Sequence, residues 1–514
     1  MDKDITRLVP ILAREKILAL DTETRGLDPF RPNNLLLLSI ATPDEQYVID
    51  CTCVDPRPLA PILQTNAILF IGQNIKFDIN VLRAACGITV SNVYDTMIAE
   101  RVLQAGLKES AALGAIAERY LGITMNKDVR TTFINHSGYF SNTQYEYAAK
   151  DVEVLFRIKQ MQEERIGTSR LEAVTAREFS LIPTIADMEY TGVYLDSGIW
   201  KQLVQYSEQE LIAHRAKLTK VLSLDGYQPG LFDDVVSGIN LDSSDQVLKS
   251  LHGLGINIPD TNNITISDYM RESELSGKNN NRVSLLKELL TYRQFTKNLS
   301  TYGTSFLSNI NPNTGFVHTS YNQVGGEFRE VATGRLSSDS PNLQNIPTRS
   351  YGDLSFRSAF RARPGNSFVG ADLSQIELRI MAEFSNEASL IEAFKTGQDI
   401  HRLTASRMFG IPIDEITREQ RNLGKTLNFS TLYGASGPKI ATLLYENGTL
   451  VTVDKANQLL ESFKKGYPAI FKWTESTGNT AVASRETRTA LGRRRTFVPP
   501  DYFDPDYRKK IASL

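Results

Sequence analysis

Cysteine is nearly absent from this chain. Only Cys51, Cys53 and Cys86 occur among 514 residues, which excludes a disulfide scaffold and a four-cysteine zinc site and suits a reducing compartment. No apolar run approaches the length of a membrane span: Leu35–Leu38 is far too short. The opening Met1-Asp2-Lys3-Asp4 lacks the basic and apolar stretches of a secretory signal. An excess of charge of one sign is missing too. The 57 Lys and Arg against 59 Asp and Glu leave a net −2, so any nucleic-acid contact must come from local cationic clusters rather than a global field. Internal repeats and low-complexity tracts are absent. What remains is ordinary globular composition, with 41% hydrophobic and 23% charged residues, which argues against wholesale disorder. The length allows about three domains. The expectation is a soluble, cytoplasmic, multidomain α+β protein with no membrane contact.

The first ~165 residues alternate between short apolar runs and helical periodicity. Lys16–Leu20, Leu35–Ile40, Tyr47–Ile49 and Ala67–Ile71 read as strands, and Phe77–Ala85, Thr96–Leu103 and Thr143–Met161 as helices. From about Leu171 to Leu307 the pattern changes to long helices, Glu178–Tyr190, Trp200–Leu222 and Val283–Leu299, with an exposed loop tip at Ser276–Asn281. From about Asn311 the chain is mixed and rich in turn residues. Beyond Thr417 it is mostly helical again.

Asp21-Thr22-Glu23 follows the first apolar run. Residues i and i+2 of a strand share a face, so the two carboxylates project together and repel unless a hard cation lies between them. The pair also suits an exposed turn before Gly26 and Pro29. Asn74-Ile75-Lys76-Phe77-Asp78 places Asp78 at the start of a helix, where a negative charge is also favoured by the dipole. Tyr147 and Asp151 are i,i+4 neighbours on a helix face. Together these give four carboxylates and a phenol without His or Cys. That oxygen-only set suits Mg²⁺ or Mn²⁺, and two such ions support phosphodiester hydrolysis.

A second constellation lies further on. Thr333–Pro347 is dense in Arg, Asn and Gln, the side chains that read phosphates and minor-groove acceptors, although it also reads as a turn-rich loop. Phe368-Val369 gives a short strand signal, with Asp372 at its end before a helix opening at Ser374. Ser374 and Glu377 have capping-box spacing. At about 100° per residue, Arg421, Lys425, Phe429 and Tyr433 form one slowly turning helical stripe. It reads as two cations for phosphates and two aromatics for a sugar and a base, or as a solvated basic turn leading into core aromatics.

Asp21-x-Glu23, Asn74-x3-Asp78 and Tyr147-x3-Asp151 resemble, in order, the three motifs of the DEDDy 3′→5′ exonucleases. The resemblance implies an RNase H-like exonuclease domain over 1–165. Asp21, Glu23, Asp78 and Asp151 would be metal ligands, and Tyr147 would orient the attacking water. The second half resembles the family A DNA polymerases, the group typified by bacterial DNA polymerase I. Asp372-x-Ser374-Gln375-Ile376-Glu377-Leu378-Arg379 is similar to its motif A, Arg421-x3-Lys425-x3-Phe429-x3-Tyr433-Gly434 to its motif B, Thr333–Pro347 to its primer-binding segment, and Asp399-Ile400-His401 to a further short motif. This implies a right-hand polymerase with thumb and connecting helices over 166–310, the first part of the palm over 311–390, and fingers over 391–514. Asp372 would be catalytic, holding metal with the main-chain carbonyl of Leu373. Gln375, Glu377, His401, Arg421, Lys425, Phe429 and Tyr433 would bind the incoming nucleotide, with Glu377 crowding its 2′ position. Arg335, Asn342, Gln344 and Asn345 would bind DNA. The expected partners are primer–template DNA, dNTPs and a single-stranded 3′ end, with two Mg²⁺ or Mn²⁺ ions per active site.

Departures are Asn422 for a usual Arg, Gly424 for a usual Ala and Ser430 for a usual Gly. The family's second palm carboxylate, in a His-Asp-Glu motif, is not found: none of the five histidines precedes Asp-Glu. The expectation is also that no 5′-nuclease region precedes Met1. The expectation is the N-terminal part of a split enzyme, completed by a second polypeptide. The alternative is a stand-alone exonuclease with a DNA-binding, non-polymerising second half.

Overall fold

A computed structural model describes residues 5–107, 109–125, 128–223, 239–277, 280–325, 333–351 and 353–498. Lys278 and Asn279 of the expected loop tip lie outside them. The apolar runs of the first region become a five-stranded sheet of order β3-β2-β1-β4-β5. Its strands are β1 (Ile17–Thr24), β2 (Leu35–Ala41), β3 (Gln46–Asp50), β4 (Leu69–Gly72) and β5 (Val93–Asp95). β1, β2 and β3 are antiparallel neighbours, and β4 and β5 extend from β1 in parallel. Helices α1 (Lys76–Cys86), α2 (Thr96–Leu103), α3 (Leu113–Leu121) and α4 (Asn142–Ser169) complete this RNase H-like unit. Every residue of β2 is buried. A strand covered on both faces has no polar side to alternate with, so it reads as a continuous apolar run.

β1 runs past the expected end at Leu20 as far as Thr24. Asp21 and Glu23 therefore lie inside the strand, opposite Ser39 and Leu37 of β2. The register shifts between Glu23 and Thr24, a bulge that ends regular pairing beside the carboxylates. α4 is started by a reciprocal Ser141–Gln144 capping box, and it packs across β1, β2 and β3. That crossing carries Tyr147 and Asp151 to β1.

Helices α5 (Glu172–Thr191), α6 (Ser197–Leu222), α7 (Ser244–Gly253), α8 (Asn263–Leu275) and α9 (Asn280–Tyr302) follow. α6 and α9 pair along their length. At their base Trp200 is fully buried, stacked on Phe306 at 4.6 Å and edge-on to Phe356 at 4.8 Å, which roots the pair in the mixed segment after Asn311. There the strands are short. β6 (Ser320–Asn322) pairs with β7 (Ser337–Asp339), and the other pairs, Tyr194–Leu195 with Phe360–Arg361 and Ser350–Tyr351 with Leu354–Ser355, have two residues each.

Two local expectations fail here. Phe368-Val369 is irregular chain, not strand, and its side chains are 63% and 94% exposed. A β-strand exists only by pairing, and apolar composition alone cannot supply a partner. The next helix opens at Ile376 rather than Ser374. Its N-cap is Gln375, in a left-handed conformation (φ 53°) and without a side-chain cap bond, so the Ser374–Glu377 capping box does not form.

The last region holds α10 (Ile376–Ser385), α11 (Ala388–Lys395), α12 (Ile400–Phe409), α13 (Arg418–Leu432), α14 (Gly437–Glu446), α15 (Val453–Gly466) and α16 (Pro468–Ser484). A hairpin follows, β8 (Glu486–Arg488) with β9 (Arg494–Thr496). Its arginines hold the first unit and α5: Arg494 Nη2 donates to Leu103 O at 2.7 Å, Arg488 Nη1 to Ser169 O at 3.0 Å, and Arg493 pairs with Glu178 of α5. α14 meets α8, where Thr442 Oγ1 donates to Asp268 Oδ1 at 2.5 Å.

α12 and α13 cross at Gly424. A Cβ added there would stand 2.4 Å from the backbone oxygen of His401 and 3.1 Å from the amide of Ala405. Neither is a flexible side-chain end. Gly→Ala inside a helix normally gains about 0.5–1 kcal/mol. Gly424→Ala is expected to reverse that sign and lose about 1–3 kcal/mol through overpacking. Urea unfolding of the variant checks it, and a stabilised variant would contradict the close crossing.

Candidate active sites

The carboxylates of Asp21, Glu23 and Asp151 come together, each offering an oxygen within 4.8 Å of the others. Glu23 and Asp151 are buried and Asp21 is half-buried. Asp78, buried in the first turn of α1, raises the proton affinity of Asp21 after burial itself does. Its Oδ1 accepts from Thr22 N at 2.9 Å and Thr22 Oγ1 at 2.6 Å, so the middle residue of Asp21-Thr22-Glu23 anchors the fourth carboxylate. Tyr147 hydrogen-bonds Asp151. The other Asp151 oxygen, Oδ1, is buried without a partner among the described residues.

Burial pushes all four acids up, and repulsion within the cluster adds to it at Asp21 and Glu23. Asp21 lies well above the usual carboxylate range, through burial and then Asp78 and Glu23. Glu23 reaches about 8, from burial and then Asp151, with Arg130 opposing. Asp78 reaches about 7 through burial, against its Thr22 bonds. Asp151 reaches about 6 through burial, against its bonds to Tyr147 and the charge of Arg130. The Tyr147 phenol is pushed up by burial and by Asp151. Clustered acids with one orphaned buried oxygen fit a hard divalent cation, whose charge would offset the repulsion.

Raised acids bind protons more tightly in the folded state. The cluster therefore opposes folding most when ionised, above about pH 8, and that cost disappears as pH falls through the raised values toward the unfolded value near 4. At about pH 8, metal-free Asp21→Asn/Glu23→Gln is expected to melt above the parent, by about 2–4 °C for each 1 kcal/mol relieved. Mg²⁺ is expected to raise the melting temperature of the parent but not of the variant. A variant that melts lower, beside a parent indifferent to Mg²⁺, would remove the cation-site reading.

In the second half, two distant segments converge on Glu377. Its Oε1 pairs with Arg335, and its Oε2 accepts from Tyr433 Oη at 2.9 Å. Arg421 Nε donates to Asp399 Oδ2 at 2.6 Å. His401 is buried, 5.8 Å from the Phe429 ring, and hydrogen-bonded to Asn428. Lys425 is exposed on the same helix. Asp372 and Leu373 are exposed on the irregular run before α10, and the Leu373 carbonyl accepts from Ile376 N at 3.2 Å. Gln375 takes the N-cap described above. Asn342 Oδ1 accepts from Gln344 N at 3.0 Å, Gln344 Nε2 donates to Leu336 O at 3.1 Å, and the Asn345 carbonyl accepts from Tyr302 Oη at 2.6 Å.

Sequence reasoning missed Thr22, Arg130 and Asn428. Thr22 stands between two singled-out acids, and Asn428 directly precedes Phe429, so position alone could have flagged both. Arg130 lies on the one-turn helix Asp128–Thr131, too short to carry a periodic signal.

Acids carried on one strand and one crossing helix of such a sheet define a nuclease module, here joined to a larger helical body. Residues 2–166 match the 3′-5′ exonuclease family, and residues 225–509 match DNA polymerase family A. DNA polymerase I of Chloroflexus aurantiacus is 32% identical over 96% of this chain and 52% of its own length. That of Aquifex aeolicus is 30% identical over 96% of this chain and 82% of its own. A solved structure, the polymerase domain of Pol1 from M. smegmatis in complex with DNA primer-template and dNTP, shares the fold. Its TM-score is 0.76 at 24% identity, covering 99% of this chain and 83% of that one. The chain belongs to the family A DNA polymerases and carries a 3′-5′ exonuclease domain. It spans about half the length of most of the curated relatives it matches. Among the described residues no helix is long and apolar enough to cross a membrane.

Proposed function

We propose that this chain removes 3′ nucleotides from single-stranded DNA ends and holds primer–template and dNTP for templated extension in replication or repair, as a cytoplasmic enzyme. In this reading the domains are exonuclease 1–165, thumb and connecting helices 166–310, first part of the palm 311–390 and fingers 391–514. The observation that carries the polymerase half is the convergence of Arg335, Glu377 and Tyr433 from three separate segments. An exonuclease with an idle second half has no use for it.

In the exonuclease site, Asp21, Glu23, Asp78 and Asp151 would hold two Mg²⁺ or Mn²⁺ ions. When bound, these would supply charge stabilisation for the reacting phosphodiester. Thr22 fixes Asp78, and the Tyr147 phenol, held by Asp151, orients the attacking water. In the polymerase site, Asp372 and the Leu373 carbonyl would hold metal. Arg421, Lys425 and His401 would receive the triphosphate, Phe429 its sugar and Tyr433 the templating base. Gln375 and Glu377 would flank the nucleotide, and Arg335, Asn342, Gln344 and Asn345 would follow the primer minor groove. No histidine of these 514 residues precedes Asp-Glu, and in this reading a second polypeptide carrying that palm motif would complete the site for extension.

The experiment is a labelled primer–template incubated with the purified chain. Expected are saturable binding, Mg²⁺-dependent 3′ trimming, and tighter binding when the complementary dNTP is added to a dideoxy-terminated primer. Trimming without any dNTP effect would reduce the function to the exonuclease alone.

A further inference from the structure

Behind the cationic stripe of α13 lies a buried polar chain. Tyr467, Thr404, Asn428 and His401 are each no more than 4% exposed. Tyr467 Oη and Thr404 Oγ1 are 2.8 Å apart, Thr404 Oγ1 donates to Asn428 Oδ1 at 2.9 Å, and Asn428 Nδ2 is 3.0 Å from His401 Nδ1. Buried hydroxyls and amides must spend their hydrogens on partners, so the polarity of the whole chain is set from one end.

Two polarities are possible. In one, Tyr467 donates to Thr404, Thr404 to the Asn428 carbonyl oxygen, and the Asn428 amide to the Nδ1 lone pair. Both hydroxyl hydrogens and the amide hydrogen facing the ring are used, and the ring's own proton sits on Nε2. In the other, His401 Nδ1–H donates to a flipped Asn428, the amide to Thr404, and Thr404 to Tyr467. The Tyr467 hydroxyl hydrogen is then left in the core among the described residues without an acceptor, which the first arrangement avoids.

We infer that Asn428, oriented by Thr404 and Tyr467, is a positioning residue that keeps His401 neutral with its proton on Nε2, so that the ring donates one hydrogen bond to a phosphate oxygen of the incoming triphosphate. This rests on the polymerase reading above. The surroundings agree. Burial, Arg421 and Lys425 hold the imidazole below its ordinary value, against Asp399 at the head of α12. The triphosphate would meet fixed cations and one neutral donor, and its affinity would not follow the protonation of His401.

The tautomer is read directly, without nucleotide, by ¹⁵N NMR of histidine-labelled chain. The parent is expected to show His401 protonated on Nε2 alone across about pH 6–8. Asn428→Asp presents only acceptors, so it should draw a proton to Nδ1 and raise the ring's titration above its ordinary value. Affinity for dATP opposite dT, measured by fluorescence on a dideoxy-terminated primer, is expected to stay flat with pH in the parent. In Asn428→Asp it should fall by about tenfold between about pH 6 and pH 8 as the ring loses its charge. Should that variant not fold, Thr404→Val frees the amide to flip and should give both tautomers. A parent protonated on Nδ1, or variants with unchanged ring spectra, overturns the inference. The expected spectra with dATP affinity indifferent to the ring would overturn the phosphate contact. A chain that trims DNA but binds no dATP overturns the polymerase reading instead.

Discussion

Asp21→Ala is expected to lower Mg²⁺-dependent trimming of a single-stranded DNA 3′ end by roughly 10³-fold, while binding of that DNA changes little. Asp21, Glu23 and Asp151 share one small volume, so removing one carboxylate dismantles the place where charge on the reacting phosphodiester would be offset. Losing several kcal/mol of such stabilisation corresponds to about three decades in rate. Tyr147→Phe should act differently. It leaves all four acids in place and removes only the phenol that bonds Asp151, so a loss of about 10²-fold is expected, the scale of one positioned proton-handling group. Asp151→Ala should match Asp21→Ala, and no metal should rescue either. The measurement is single-turnover cleavage of end-labelled DNA. Trimming by Asp21→Ala within about threefold of the parent would sink the assignment, since that is under about 1 kcal/mol of transition-state stabilisation.

The exonuclease site was legible because its parts are local. Residues i and i+2 on a strand and i and i+4 on a helix share a face whatever the tertiary fold does, and both Asp21/Glu23 and Tyr147/Asp151 obey that rule. What brings the two pairs together is α4 crossing β1, a contact between residues more than 100 apart in the chain, for which periodicity gives no signal. Here the resemblance to the exonuclease motifs carried the expectation and the packing agrees. The helices of the second half were also legible, from Trp200–Leu222 to the stripe beginning at Arg421. The failures lie where structure depends on a distant partner. Phe368-Val369 has strand composition without a paired strand. Glu377 has capping spacing, but Gln375 takes a left-handed backbone and ends the box, leaving the carboxylate to distant Arg335 and Tyr433. The Asn428 chain was invisible for the same reason, since Thr404 approaches it from α12 and Tyr467 from the junction between α15 and α16.

That displacement of Glu377 from capping duty decides what its removal should do. Its two oxygens are held from different sides, by Arg335 and by the Tyr433 hydroxyl at 2.9 Å, so the side chain is tethered rather than free to swing aside. A ribose 2′-hydroxyl brought against a tethered carboxylate meets both crowding and a group that cannot retreat. Overpacking of this kind costs about 1–3 kcal/mol, or roughly 10–100-fold in affinity. Glu377→Ala should therefore reduce the preference for dCTP over CTP, on a dideoxy-terminated primer opposite dG, by about 10–100-fold, with dCTP affinity itself nearly unchanged. Tyr433→Phe and Arg335→Ala, each cutting one tether, should fall between parent and Glu377→Ala. Stability should hardly respond, because Arg335 and Glu377 side chains are 69% and 36% exposed and such pairs contribute at most about 1 kcal/mol. Equilibrium binding is the right measure, since it needs no turnover. A folded Glu377→Ala chain that discriminates as well as the parent would show that the carboxylate merely ties Arg335 to Tyr433. A marked loss of stability would return Glu377 to a structural role that the helix start gives no reason to expect.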